Sequence, residues 1–312
     1  MSMNFKFGIE MEFADLSTDA VMRVLSDAGI RIVDRGYTHA DYSDGVWKVV
    51  PDASVRDGLE VVSPVLFGEE GLAECAKVAH ALEAAEASIN RTCGFHVHID
   101  ASSFSAIELY RIYDRYKKFE SEIDSFMPRS RRGNSNQYCR SLASGSIPAP
   151  TRGMTKESLA EDQMSRYYKV NLKSYLRHHT VEFRQHSGTV DAAKISNWIR
   201  FLQEFCEVSR HPVAASGAKL QKRQTEILDF IRSSASGVTT QDLCREFGLL
   251  PHSARSALTY IRRKGVTIIA TKAYGVMRYS VGDLMTAGDD LFRGIDADVH
   301  QFYLARRAIL AA

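Results

Sequence analysis

The stretch Phe5-Lys6-Phe7-Gly8-Ile9-Glu10-Met11-Glu12-Phe13 constrains the fold of this chain more than any other. Apolar residues occupy its odd positions, while Lys6, Glu10 and Glu12 fall on even ones. Side chains two apart on a strand point to the same face. The pattern therefore predicts a strand with one dry face and one face carrying two carboxylates. Gly94 to Asp100 alternates in the same way and places His96 and His98 together. Lys169 to Leu172 and Thr180 to Arg184 also read as strands, the second presenting Glu182 and Arg184. Val46 to Val50 and Leu59 to Val62 complete the set, joined by a turn containing Pro51, Asp52 and Asp57-Gly58.

Helical signals alternate with these strands. Asp19 to Ala28 ends at Gly29, Glu69 to Ser88 is Ala-rich with Glu and Lys, and Ala192 to Arg210 is amphipathic. Ser105 to Phe126 reads as one long amphipathic helix, with Leu109, Ile112, Tyr113, Tyr116, Phe119 and Ile123 on one side. Arg129 to Met154 reads as a long polar loop. These elements predict an α+β domain over residues 1–210, an antiparallel sheet flanked by helices.

Taken singly, each polar pair has an ordinary explanation. Glu10-x-Glu12 fits the exposed face of an edge strand, and His96-x-His98 a pair of hydrogen-bonded imidazoles. Glu182 and Arg184 can simply pair. Asp52 and Glu60 fit a turn aspartate and a strand glutamate. Together, Glu10, Glu12, Glu60, Glu182, two histidines and an arginine line strands of one domain. A sheet lined with acidic groups needs divalent cations to be stable. Oxygen-rich ligation favours Mg2+ or Mn2+ over zinc, and Mg2+ shares its shell with substrate phosphates. That combination describes nucleotide phosphoryl transfer without a P-loop, because no GxxxxGK[ST] occurs and no GxGxxG follows a strand.

Several motifs, in order, resemble the amidoligase family of carboxylate–amine ligases, related to glutamine synthetase and glutamate–cysteine ligase. They are Phe7-Gly8-Ile9-Glu10-Met11-Glu12-Phe13, Asp52-Ala53-Ser54 with Gly58-Leu59-Glu60-Val61-Val62-Ser63-Pro64, and Cys93-Gly94-Phe95-His96-Val97-His98. Tyr168 to Leu172 and Thr180 to Thr189 complete the set. The resemblance spans about residues 4–210. It implies a glutamine-synthetase-like sheet that binds ATP and two or three Mg2+. It implies Glu10, Glu12, Glu60, His96 and Glu182 as metal ligands, with Asp52 a further candidate. His98 would contact phosphate, and Arg184 the transferred phosphoryl group. Lys169 and Asn171 fall in the nucleotide-binding region. Arg129, Arg131, Arg132 and Asn136 on the long loop are candidates to contact the carboxylate substrate. The implied chemistry activates a carboxylate as an acyl phosphate, which an amine then converts to an amide.

Charge is uneven beyond residue 217. Residues 218–282 hold 11 Lys and Arg against 4 Asp and Glu, in a chain whose overall net charge is only +2. A linker over 211–217 leads to a helix at Leu220 to Ile231, and Thr239 caps a second helix ending near Gly248. A third runs from Pro251 to Lys264, and strands at Val266 to Ala270 and Met277 to Val281 flank Tyr274-Gly275. This order predicts a winged helix-turn-helix over 218–283, with nucleic acid as its expected partner and protein docking or dimerisation as the alternative. A helical extension, Asp298 to Leu310, closes the 284–312 segment.

Ordinary composition excludes whole-chain disorder. No apolar run approaches a transmembrane length, the first strand does not read as a signal peptide, and five scattered cysteines form no CxxC pair. A reducing cytoplasm is the expected compartment. Two other functions compete: a metal-dependent hydrolase using His96 and His98, which would need no ATP, and a ligand-sensing DNA-binding regulator with an inactive ligase-like domain. The complete acidic set argues against the regulator, because unpaired buried carboxylates are costly to retain.

Overall fold

A computed structural model describes residues 3–36, 45–55, 58–211, 222–234, 237–263, 266, 268–273 and 276–281. The chain divides into two compact units, Met1–Arg210 and His211–Ala312.

The first unit is mixed α+β. Its strands are β1 (Phe7–Ala14), β2 (Ile32–Asp34), β3 (Trp47–Asp52), β4 (Gly58–Val62), β5 (Gly94–Asp100), β6 (Val170–Asn171) and β7 (Thr180–Ser187). Among the described residues they form one seven-stranded sheet in the order β2-β3-β4-β1-β5-β7-β6. Every neighbouring pair is antiparallel except β2 with β3. The helices are α1 (Thr18–Asp27), α2 (Gly68–Ala84), α3 (Ala106–Lys118), α4 (Glu120–Phe126), α5 (Lys156–Glu161), α6 (Tyr175–His178) and α7 (Ala192–Ser209).

The alternation in β1 becomes two faces. Phe7, Ile9, Met11 and Phe13 are buried, together with Val61, Phe95, Val97, Ile99, Val181 and Phe183 from the neighbouring strands. Burying each such side chain stabilises the fold by about 1.5–3 kcal/mol. Helix α7 is central to this dry side: Phe205 meets Tyr116 of α3 edge-on at 5.6 Å and Phe183 of β7 at 6.2 Å. Gln203 of α7 clasps the start of β1, accepting from Phe5 N at 3.0 Å and donating to Phe5 O at 2.9 Å. Helix starts follow local chemistry. Ser17 caps α1, Ser105 and Glu108 form a reciprocal capping box on α3, and Asp191 caps α7.

The structure departs from the sequence reading in five places. The long helix expected over Ser105 to Phe126 is two helices broken at Phe119, whose backbone leaves the helical region. Helix α2 stops at Ala84, and Glu86 turns left-handed so that Ser88 can pair with Ala14. The loop expected over Arg129 to Met154 contains 3-10 turns at Arg129–Arg131 and Leu142–Ser144, with Arg131 and Leu142 buried. Strand β2 and the short helices α5 and α6 carry too few residues to show a period. Strand β7 continues to Ser187, three residues beyond its expected end.

The second unit contains α8 (Lys222–Ser233), β8 (Val238–Thr239), α9 (Thr240–Phe247), α10 (Pro251–Arg263), β9 (Ile268–Ala273) and β10 (Val276–Val281). The strands pair antiparallel in the order β8-β10-β9. Ile227, Leu228 and Ile231 of α8 pack with Leu243, Leu258, Ile261 and Ile268 in a separate core. Thr239 and Asp242 box the start of α9, and Gly248 at φ 61° ends it in the left-handed region glycine tolerates. The Tyr274-Gly275 turn, linker residues 212–217 and the expected helix Asp298 to Leu310 lie outside the described residues. No helix among the described residues is long and apolar enough to cross a membrane.

Candidate active site

Strand register assembles the site. Glu12 lies opposite Glu60 of β4, and Glu10 opposite His96 of β5. His98 lies opposite Glu182 of β7, which faces Asn171 of β6. Residues directly opposite share a face, so a band of polar groups crosses five strands on the side away from Ile9 and Met11.

His96 occupies the middle. Its Nδ1 is 2.9 Å from Glu10 Oε2 and 3.8 Å from Glu182 Oε1, and its Nε2 is 3.4 Å from Glu12 Oε1. His98 Nε2 is 3.3 Å from Glu10 Oε1. On its other side, His98 Nδ1 meets Thr180 Oγ1 at 2.9 Å and Ser174 Oγ at 3.1 Å, and the two hydroxyls are 2.7 Å apart. Arg184 donates to Glu182 Oε1, and Asn171 Nδ2 donates to Glu182 Oε2 at 2.6 Å. Arg184 Nε also donates to the Tyr138 carbonyl at 3.2 Å.

An irregularity in β7 places Arg184. Phe95 pairs with His186 and Val97 with Phe183, so β7 carries one residue more than β5 across this interval. Arg184 therefore stays beside Glu182, while His186 turns to the aromatic side against Phe95 at 5.6 Å and Trp198 at 5.4 Å.

Glycine makes the tightest corner. Gly94 N donates to Glu12 Oε2 at 2.6 Å. A Cβ on Gly94 would lie 2.7 Å from His96 Nε2, 3.1 Å from Arg131 Nη2 and 3.2 Å from Glu12 Oε1. Behind it, buried Arg131 donates to the carbonyls of Thr92 and Cys93.

The electrostatics divide the carboxyls. Burial raises the Glu60 pKa well above the usual range, and Glu10, Glu12 and Asp52 push it further. Glu12 is also raised, by burial with help from Asp52, against the opposing pull of His96, the Gly94 amide and Arg131. Burial acts on Glu10 too, yet its contacts with His96 and His98 outweigh it and hold that carboxyl well below normal. Glu182 is lowered because Arg184, His98 and His96 together overcome its burial. His98 is raised, its burial outweighed by Glu10 and Glu182.

Two overlapping groups of possible ligand atoms result, Glu10 with Glu60 and His96, and Glu10 with His98 and Glu182. Within each, the atoms lie within 4.8 Å of one another. Glu10 belongs to both.

Two expected contacts fall elsewhere. Lys169 is enclosed, and its Nζ donates to Glu120 Oε1 at 2.7 Å and Asp124 Oδ1 at 2.5 Å on α4. Its ammonium is paired with both of those carboxylates. Of the loop candidates, only Arg131 reaches the site. Arg132 bonds to the Met127 and Ser125 carbonyls, Arg129 is exposed, and Asn136 Oδ1 accepts from Tyr138 N. Asp52 accepts from Ser54 and acts on Glu12 and Glu60 through its charge. Sequence reasoning missed Ser174 and Thr180 as partners of His98. It also missed Glu120 and Asp124, four apart on α4, as the partners of Lys169.

A family model described as "Putative amidoligase enzyme" matches residues 3–206. The chain belongs to the amidoligase family. No curated protein matches it. Membership places the chain among ligases, and the matched span contains every residue of the polar band. The second unit lies beyond the amidoligase match.

Proposed function

We propose that this amidoligase is an ATP-dependent carboxylate–amine ligase with a glutamine-synthetase-like catalytic sheet. The observation that carries the reading is the pair of ligand groups sharing Glu10. Their donor set is oxygen-rich with one imidazole each, which suits Mg2+ or Mn2+. Glu60 supplies the test of fit: it is crowded by Glu10, Glu12 and Asp52, a repulsion that a divalent cation among them would remove. Glu10, Glu12, Glu60 and His96 would hold one cation, and Glu10 and Glu182 another, with His98 beside it. Bound there, divalent cations neutralise charge on a phosphoryl group in transfer.

The chain's own groups do the rest. A substrate carboxylate oxygen attacks the γ-phosphorus of ATP, and ADP leaves. Arg184 presents a planar fork to the equatorial oxygens, oriented by Glu182 and the Tyr138 carbonyl. An amine nitrogen then attacks the acyl phosphate carbon, phosphate departs, and the nitrogen loses its proton to a neighbouring base. The test is ADP release with mass detection of the amide, screened over amino acids and amine acceptors. Glu12→Gln and Glu182→Gln should each abolish both signals while the fold survives. Full turnover in both variants, or product without ATP, would reject the assignment.

The second unit fits a winged helix-turn-helix by its element order, and we read it as the module that brings a nucleic-acid-linked acceptor to the ligase. His252, Arg255, Ser256 and Thr259 lie exposed along α10, and the segment is strongly basic. Duplex DNA binding by the full chain should fall steeply with salt, and Arg255→Glu should weaken it. Salt-independent binding, or none at about 50 mM salt, would leave a protein-docking role.

A further inference from the structure

Gly8 is a glycine that the protein's own packing does not require. It sits inside β1, where glycine is less favourable than alanine because it loses more backbone freedom on folding. Its backbone is not in the left-handed region. A Cβ there would meet Ser63 Oγ at 3.6 Å, His98 Cβ at 4.0 Å and Pro64 O at 4.0 Å, all ordinary contact distances. The contrast with Gly94 is direct, since a Cβ on Gly94 runs into three side chains. Gly188 is equally constrained, with Cys93 Cβ 2.5 Å from the same point. Turn geometry, backbone strain and close packing therefore all fail to account for Gly8.

What glycine does supply at this position is clearance. Gly8 lies opposite His98, and the alternation of β1 puts it on the polar face with Glu10. Lys6, exposed and two residues earlier, continues the same alternation, between buried Phe5 and Phe7. Its carbonyl still accepts from Asp100 N at 2.9 Å, so the ladder runs on to that point. A bare stretch of backbone thus separates the Glu10–His98 cluster from a lysine, with an imidazole beside it. An open floor that leads to an exposed lysine suits an anionic chain.

Resting on the ligase reading above, we propose that Gly8 is the floor of the nucleotide's polyphosphate path, which leaves the Glu10–His98 end of the site and runs over β1 toward Lys6. Gly8→Ala fills that floor, and Gly8→Val fills it further. The Cβ of alanine meets no steric obstacle in the protein itself.

The test is calorimetric titration of the full chain with a non-hydrolysable ATP analogue, inorganic tripolyphosphate and adenosine, each with Mg2+, beside thermal unfolding. Wild type should bind the analogue and tripolyphosphate. Gly8→Ala should weaken both by about tenfold and Gly8→Val by more, the size of effect one or two intruding methyls produce. Lys6→Gln should weaken both less. The melting temperature of Gly8→Ala should hold or rise, because alanine at a compatible site restricts the unfolded chain. Unchanged affinities in both Gly8 variants overturn the proposal, and so does a melting temperature that falls along with affinity. Loss of the analogue alone, with tripolyphosphate unaffected, overturns the phosphate assignment in favour of the nucleoside. A wild type that binds no nucleotide rejects the ligase reading itself, a result that no Gly8 variant mimics.

Discussion

Replacing Gly94 by alanine tests the geometry of the polar band at its tightest point. The new methyl would sit 2.7 Å from His96 Nε2, 3.1 Å from Arg131 Nη2 and 3.2 Å from Glu12 Oε1. None of the three yields freely. His96 Nδ1 is held by Glu10 at 2.9 Å, and Arg131 by the Thr92 and Cys93 carbonyls. Glu12 accepts from the Gly94 amide at 2.6 Å, so moving it away weakens a charge-assisted bond. Overpacking of this kind costs about 1–3 kcal/mol, and a compromised bond to a charged group adds to it. A total of about 3 kcal/mol lowers the melting temperature of a unit this size by about 6–12 °C. Metal-dependent ADP release should fall with it, because His96 and Glu12 are the groups displaced. Differential scanning calorimetry and an ADP-coupled assay on the same preparation read both effects. A Gly94→Ala protein that melts and turns over as wild type would show that the corner is loose, and the site geometry argued from it would fail.

Arg184→Lys should cost about 2–4 kcal/mol in transition-state stabilisation, or about 30- to 1000-fold in kcat, since an ammonium cannot offer a planar fork to two oxygens; a wild-type rate would make Arg184 a structural partner of Glu182 only. Lys169→Met leaves Glu120 and Asp124 without their buried cation and should destabilise by about 3–5 kcal/mol in urea unfolding. Combining it with Glu120→Gln and Asp124→Asn should recover much of that loss, and no recovery would mean that packing rather than charge is at stake. His186 is lowered to about 4 by burial, against about 6.5 in an unfolded chain. Between those values only the unfolded state takes the proton, so stability is full above pH 6.5 and falls as pH drops toward 4. The loss should reach about 2 kcal/mol by pH 5, and a His186→Gln variant should show a shallower fall over that window.

How much of this was legible in the sequence depends on whether the cause is local. The period of two in Phe5 to Phe13 and Gly94 to Asp100 states which side chains share a face, and the structure keeps those faces. The end of α3 is not local. Apolar spacing runs through Phe119 into Ile123 without interruption. The break accompanies contacts that bring Glu120 to Leu142 N at 2.9 Å and to Lys169. Lys169 shows the same limit, because its partners lie 49 and 45 residues earlier in the chain. Ser174 and Thr180 flank a four-residue helix with no period to read, and only the folded sheet brings their hydroxyls to His98.

The polar face is also where the sequence works against stability, and the two glycines separate the reasons. Gly94 is demanded by the protein, since three of its own side chains occupy the space a Cβ needs. Gly8 gives up strand stability although nothing in the protein fills the space it leaves. Glu60 is the electrostatic counterpart of Gly8, a carboxyl held among other carboxyls at a cost that burial increases. A chain selected only to fold would place alanine at the one and a neutral side chain at the other. Such local conflicts collect at functional sites. Here both fall on one face of adjacent strands, on either side of Glu10, where the proposed cation and the proposed polyphosphate path would meet.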